Sequence, residues 1–129
     1  FDSRYLNFFD LWNARQYYEC HETLEQVWLE SHGKEKKFYQ GLIMSSAAFF
    51  HLEKGNTSGC LNLLVGALNY LEQYPPRYLA FPVREFVDLL ATWQARVELM
   101  RAVQEIEFSP SQLPQIQPPT NAMAAHLIP

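Results

Sequence analysis

The longest apolar pattern in the chain covers residues 35–54, with KKFYQGLIMSSAAFFHLEK at its heart. At a helical step of about 100° per residue, Phe38, Leu42, Ser45, Phe49 and Leu52 share one face, and Ile43, Ala47 and Phe50 share the opposite one. A helix that is apolar on both sides is buried on both sides, so this segment is predicted to be the central element, with neighbours packed against each face. Gln40 and His51 interrupt the second face. A buried amide or imidazole without a hydrogen-bond partner costs roughly 1 to 3 kcal/mol, which makes these two residues the first candidates for a site.

The remaining elements follow from the same periodicity. Over residues 2–13, Tyr5, Phe8, Phe9, Leu11 and Trp12 recur at three and four, with Asp2 or Ser3 as N-cap. A second helix over residues 17–31 carries Tyr17, Cys20, Leu24, Val27 and Trp28 in its stripe. His21 falls within that stripe, Glu25 lies at its edge one turn on, and Glu22 points further out. Gly33 suits a left-handed C-cap. Gly55 and Asn56 form the sharpest corner, a C-cap glycine followed by an N-cap asparagine. The fourth helix, residues 57–74, buries Cys60, Leu64, Ala67, Leu68 and Leu71 and stops at Pro75 and Pro76.

Residues 77–81 read as an apolar linker packed down on the domain, and residues 82–105 as a fifth amphipathic helix with Val83, Phe86, Val87, Leu90, Trp93, Val97 and Met100 inward. After Phe108 come Pro110, Pro114, Pro118 and Pro119, which no regular element tolerates. The prediction is an all-α, single-domain five-helix bundle around a buried central helix (residues 1–108), with an extended Pro-rich C-terminal tail (residues 109–129). Leu113 and Ile116 are expected to pin the first half of the tail, and the last ten residues are expected to be mobile.

Composition narrows the function classes. A chain of 129 residues that is 48% hydrophobic and 15% aromatic has material for a full core. Ten Lys and Arg against 14 Asp and Glu, net charge −4, leave only the short cluster Lys34, Lys36 and Lys37, so no nucleic-acid partner is expected. Cys20 and Cys60 stand apart with no zinc-type spacing and read as small core residues in a reducing, cytoplasmic setting. No run of 18 apolar residues and no charged-then-apolar leader occurs, so neither a membrane span nor a signal peptide is expected.

Three pieces taken together, HETLEQVW from His21, QGLIMSSAAFFH from Gln40 and GNTSG from Gly55, resemble the bacterial and archaeal domain-of-unknown-function family 309. The resemblance covers roughly residues 1–74, with the fifth helix only loosely similar and the Pro-rich tail outside it. It implies a small all-helical protein and no assigned activity. The family commonly has Ala where this chain has Cys20, a small-for-small exchange.

Of the site candidates, His21, Glu22 and Glu25 place an imidazole and two carboxylates within about one helical turn. Helical metal sites use such parts, but drawn from several helices. If the second and third helices form an antiparallel hairpin about Gly33, residues at equal height have numbers summing to about 67, given equal rises of about 1.5 Å. His21 then lies beside Ser46, Glu25 beside Leu42, and His51 near Gln16 and Tyr17. The two imidazoles are offset by roughly 7 to 8 Å along the axis, close enough to line one pocket but out of register for one ion. Gln40 lies about 16 Å along the helix from His51 and shares no small ligand with it.

Gly55 and Asn56 lack the surroundings of a phosphate loop and read as a helix corner. Tyr17, Tyr18, Phe49, Phe50 and Trp28 read as core. The function these residues predict is a non-catalytic binding or interaction module with a His/Glu polar network (His21, Glu22, Glu25, Gln40, His51), expected to form a homodimer or to meet a small ligand or protein partner, with no cofactor. The alternative is a small metal-dependent or acid–base hydrolase using His21, Glu25 and His51, with a divalent metal.

Overall fold

The structure is a computed structural model that describes residues 1–103 and 110–119. Its first helix, α1 (Ser3–Asn13), begins where the Asp2 carboxylate accepts the Arg4 backbone N–H at 2.8 Å, an N-cap satisfying one of the orphan donors of the first turn. Arg15, at φ 60°, turns the chain into α2 (Tyr17–Glu30). The corner after α2 uses Gly33 at φ +61°, the left-handed conformation expected of it. The central helix α3 (Gly33–Glu53) therefore begins slightly earlier than its apolar pattern does.

Gly55, at φ +79°, and Asn56 then lead into α4 (Thr57–Leu71). This helix ends three residues short of the expected Tyr74, which sits in a turn ahead of Pro75. The last helix, α5 (Val83–Val103), is described to Val103; its expected final turn, residues 104–105, lies outside the described residues, as do the last ten residues. No strand occurs among the described residues, and the fold is all-α with five helices.

As its two apolar faces require, α3 packs against both α2 and α4, while α1 lies on α2 and α5 on α4. Gly41 makes the α3–α4 contact possible: a Cβ there would lie 2.7 Å from Leu71 Cγ and Cδ2. Ser45 and Ser46, fully buried on the same helix, donate their hydroxyls to the carbonyls of Gly41 and Ile43. The small residues thus serve close packing, as read from sequence.

Trp12 is the hub of the core. Its indole meets Tyr17, Phe49 and Phe86 edge-on, with ring centroids 5.2 to 5.5 Å apart. Its Nε1–H donates to the Pro114 carbonyl at 2.8 Å, which ties the tail to α1. Leu113 and Ile116 are buried, pinning the tail as expected. The linker before α5 is also packed down: Tyr78 and Phe81 exchange backbone hydrogen bonds across Leu79 and Ala80, both at positive φ, and Phe81 is buried against Phe9. None of the described helices is long and apolar enough to cross a membrane.

Candidate functional site

The α2–α3 hairpin has nearly the predicted register. Tyr17 packs on Phe49 and Tyr18 on Phe50, pairs whose numbers sum to 66 and 68. This register brings both imidazoles to one cleft of about 190 Å³, lined by Tyr17, Tyr18, His21, Ala47, Phe50 and His51.

His21 is not the core histidine its place in the stripe suggested. Its side chain is 30% exposed, and its Nε2 lies 3.1 Å from Glu25 Oε2 one turn on. The register explains the difference: Cys20 and Leu24 are fully buried, Cys20 against the Phe8 carbonyl of α1, whereas His21 is one step round the helix, at the mouth of the groove. Glu25 is the expected partner of His21, and Glu22 is exposed.

His51 stands on the last turn of α3, and the following corner holds it. Its carbonyl accepts the Asn56 N–H at 2.9 Å, and its ring Nδ1 lies 3.1 Å from Asn56 Nδ2. Gly59 N–H donates to Asn56 Oδ1 at 2.9 Å. Because a backbone N–H can only donate, that contact fixes which end of the Asn56 amide faces α4. The NH₂ end is left for the imidazole. A Cβ at Gly59 would lie 2.5 Å from Asn56 Nδ2, so any larger residue there would have to displace the Asn56 amide from this position. Asn56 is the N-cap predicted, Gly55 takes the left-handed conformation just after the α3 C-cap Lys54, and Asn56 adds a hydrogen bond to the site that cap logic alone did not reveal.

Gln40 is half-buried, makes no side-chain hydrogen bond among the described residues, and does not line the cleft. Gln40 and His51 interrupt the same helix face, but helical rise separates them, as their spacing predicts. Conversely, Tyr18 and Phe50 read as core, yet they form the wall of the cleft. Tyr18 is 48% exposed, and Lys54 Nζ lies 5.5 Å from the Phe50 ring centroid. Their position next to the two histidines on the groove side was the signal available for finding them.

Tyr17 contributes one further feature. It is buried, and its hydroxyl is a buried side-chain polar atom without a hydrogen-bond partner among the described residues. Burial pushes the phenol above its usual range, with the nearby Glu53 carboxylate acting in the same direction.

Burial pushes the Cys60 thiol up to about 12 and the Cys20 thiol higher still, and Cys20 donates to the Phe8 carbonyl; neither supplies a thiolate near neutral pH. Among the described residues no group of three or more His, Cys, Asp and Glu side chains is placed to hold a metal ion.

Fold and cleft together define a small all-α protein with a two-histidine groove on a helical hairpin. Residues 5–63, which span the His21–Glu25 turn, the Gln40–His51 run and the Gly55–Asn56 corner, match the family described as Domain of unknown function (DUF309). Relatives include the uncharacterized protein YpuF of Bacillus subtilis (strain 168), 35% identical over 60 residues, which are 46% of this chain and 34% of YpuF. An uncharacterized protein of Aquifex aeolicus (strain VF5) is 34% identical over 68 residues, 52% of this chain and 20% of that protein. The chain therefore matches about a third of the one relative and a fifth of the other.

Proposed function

We propose that the protein is a non-catalytic binding module whose seat is the α2–α3 cleft. The observation that carries this reading is that each imidazole in the cleft already has an intrachain partner, Glu25 for His21 and Asn56 for His51, while Tyr17, Tyr18, Ala47 and Phe50 offer an apolar wall. Such histidines are oriented to recognise a guest. At about 190 Å³ the cleft is smaller than the roughly 300 to 1,000 Å³ of pockets that take drug-sized ligands, so the guest is a single ring or one side chain of a partner.

The surroundings proposed are cytoplasmic, supported by two free, buried cysteines. A second copy of the chain is the proposed protein partner. Leu113 and Ile116 are buried in their own chain and offer it no surface. The support for it is the outer side of α5, where Leu99 and Val103 are 66% and 58% exposed.

The test is titration of ¹⁵N-labelled protein with compact cyclic probes, namely cyclohexanone, cyclohexanecarboxylate and cyclohexylamine. At least one of them is expected to shift the Ala47 and His51 resonances in the parent and to leave them unmoved in Ala47→Leu, which fills the cleft. Ester hydrolysis that falls together in His21→Gln and His51→Gln would displace this reading in favour of the acid–base hydrolase. Stoichiometric metal in protein purified without chelator would favour its metal-dependent form.

A further inference from the structure

Two side chains outside the core, Asn56 and His51, connect the Gly55–Asn56 corner to the cleft. The Gly59 N–H fixes the Asn56 amide, the amide NH₂ points at His51 Nδ1, and His51 lines the groove. An Nδ1 that accepts a hydrogen bond bears no proton, so the neutral ring carries its proton on Nε2. We propose that Asn56 is a positioning residue that holds His51 as the Nε2–H tautomer, and that the cleft consequently takes a small apolar molecule presenting an acceptor oxygen, a carbonyl or a carboxylate. This rests on the binding reading above and names the chemistry of the guest.

The rest of the cleft agrees with that chemistry. Tyr17 lines the cleft as well, and its buried hydroxyl has no hydrogen-bond partner among the described residues. Tyr18 and Phe50, with ring centroids 5.5 Å apart, supply the apolar wall. Lys54, above Phe50, adds a positive charge at the rim that favours the carboxylate form of the guest. Opposing it, His21 is backed by the Glu25 carboxylate, and this acidic side favours the neutral carbonyl form. The acceptor oxygen is common to both.

One substitution separates capping from proton placement. Asn56→Asp retains an oxygen to accept the Gly59 N–H, and Asp caps helices as well as Asn. It replaces the NH₂ with an acceptor, which calls for a proton on His51 Nδ1 and leaves Nε2 bare. Ring-nitrogen spectra of parent and variant at about pH 8.5, about two units above the ordinary histidine value, report the tautomer of the neutral ring directly. The parent is expected to show Nε2–H and the variant Nδ1–H. In the parent, cyclohexanone or cyclohexanecarboxylate should bind at the cleft, and cyclohexylammonium, a donor only, should not. In Asn56→Asp the acceptor probes should weaken by about tenfold, the scale of one net hydrogen bond, and the ammonium should gain.

An Nδ1–H tautomer in the parent, or equal binding of donor and acceptor probes in both proteins, overturns the inference while leaving the binding reading in place. If no probe moves the Ala47 and His51 resonances of the parent, the binding reading fails and the inference with it. Comparison of the two acceptor probes tells carbonyl from carboxylate.

Discussion

Asn13 and Ile116 hold each other by two reciprocal hydrogen bonds: Ile116 N–H donates to Asn13 Oδ1 at 2.7 Å, and Asn13 Nδ2–H donates to the Ile116 carbonyl at 2.8 Å. A side-chain amide here takes the place of a backbone partner and satisfies an extended segment that has no strand beside it. Asn13→Ala leaves that N–H and carbonyl unmet, and the expected cost is about 1 to 3 kcal/mol. Urea melts measure it. Proteolysis of the tail near Leu113 should quicken in the variant; an unchanged cleavage rate would mean that Trp12 and the buried Leu113 hold the tail without this pair.

At the corner, Gly55→Ala places a side chain at φ +79° and should destabilise by about 1 kcal/mol. Asn56→Ala loses a real cap and should also cost about 1 kcal/mol, whereas Asn56→Asp should be close to neutral. Chemical denaturation that leaves both alanine variants within about 0.5 kcal/mol of the parent would show that the corner adds no stability.

His21→Ala should be mild. The ring is partly exposed and its partner Glu25 more so, and exposed ion pairs contribute about 0.2 to 1 kcal/mol. The expected loss is of that size and the same with or without chelator. A parent whose melting temperature drops on chelation to that of the variant would point to a bound metal at this turn.

Gly41→Ala tests the α3–α4 contact. Its Cβ would sit 2.7 Å from two Leu71 atoms in the core, and overpacking of this kind costs about 1 to 3 kcal/mol. The double variant Gly41→Ala with Leu71→Ala should recover part of that loss relative to additivity, since the two residues touch. Strict additivity in thermal melts would mean that the helices simply move apart.

Arg4 contributes to the acid limb of stability: it hydrogen-bonds the carboxylates of Asp2 and Glu30 and so links the start of α1 to the end of α2. The guanidinium holds Asp2 down to about 2 from an ordinary 3.8 and lowers Glu30 as well. A carboxyl depressed in the folded state contributes stability that is present above its unfolded value, near pH 4, and lost as pH falls through the folded one, near pH 2. Arg4→Ala should therefore flatten the change in stability between those two values; pH-resolved melts that superimpose parent and variant would remove Arg4 from that role.

By itself the sequence determined the helices, their corners and the hairpin register. Apolar spacing at three and four, a carboxylate or amide at a helix start and a glycine at its end act through neighbours in the chain, and equal rise along two antiparallel helices carries Tyr17 to Phe49 without further information. Only the tertiary structure decided which side chains end at the rim and which inside, because one step of rotation about α2 separates buried Cys20 from half-exposed His21. It also decided that Asn56 reaches back to His51 and that Asn13 meets Ile116. The first of these needs the corner closed and the second needs the whole bundle assembled, since 103 positions separate its two partners along the chain. Periodicity describes a residue's direction from its own helix axis. Contacts of this kind depend on where another segment has come to lie.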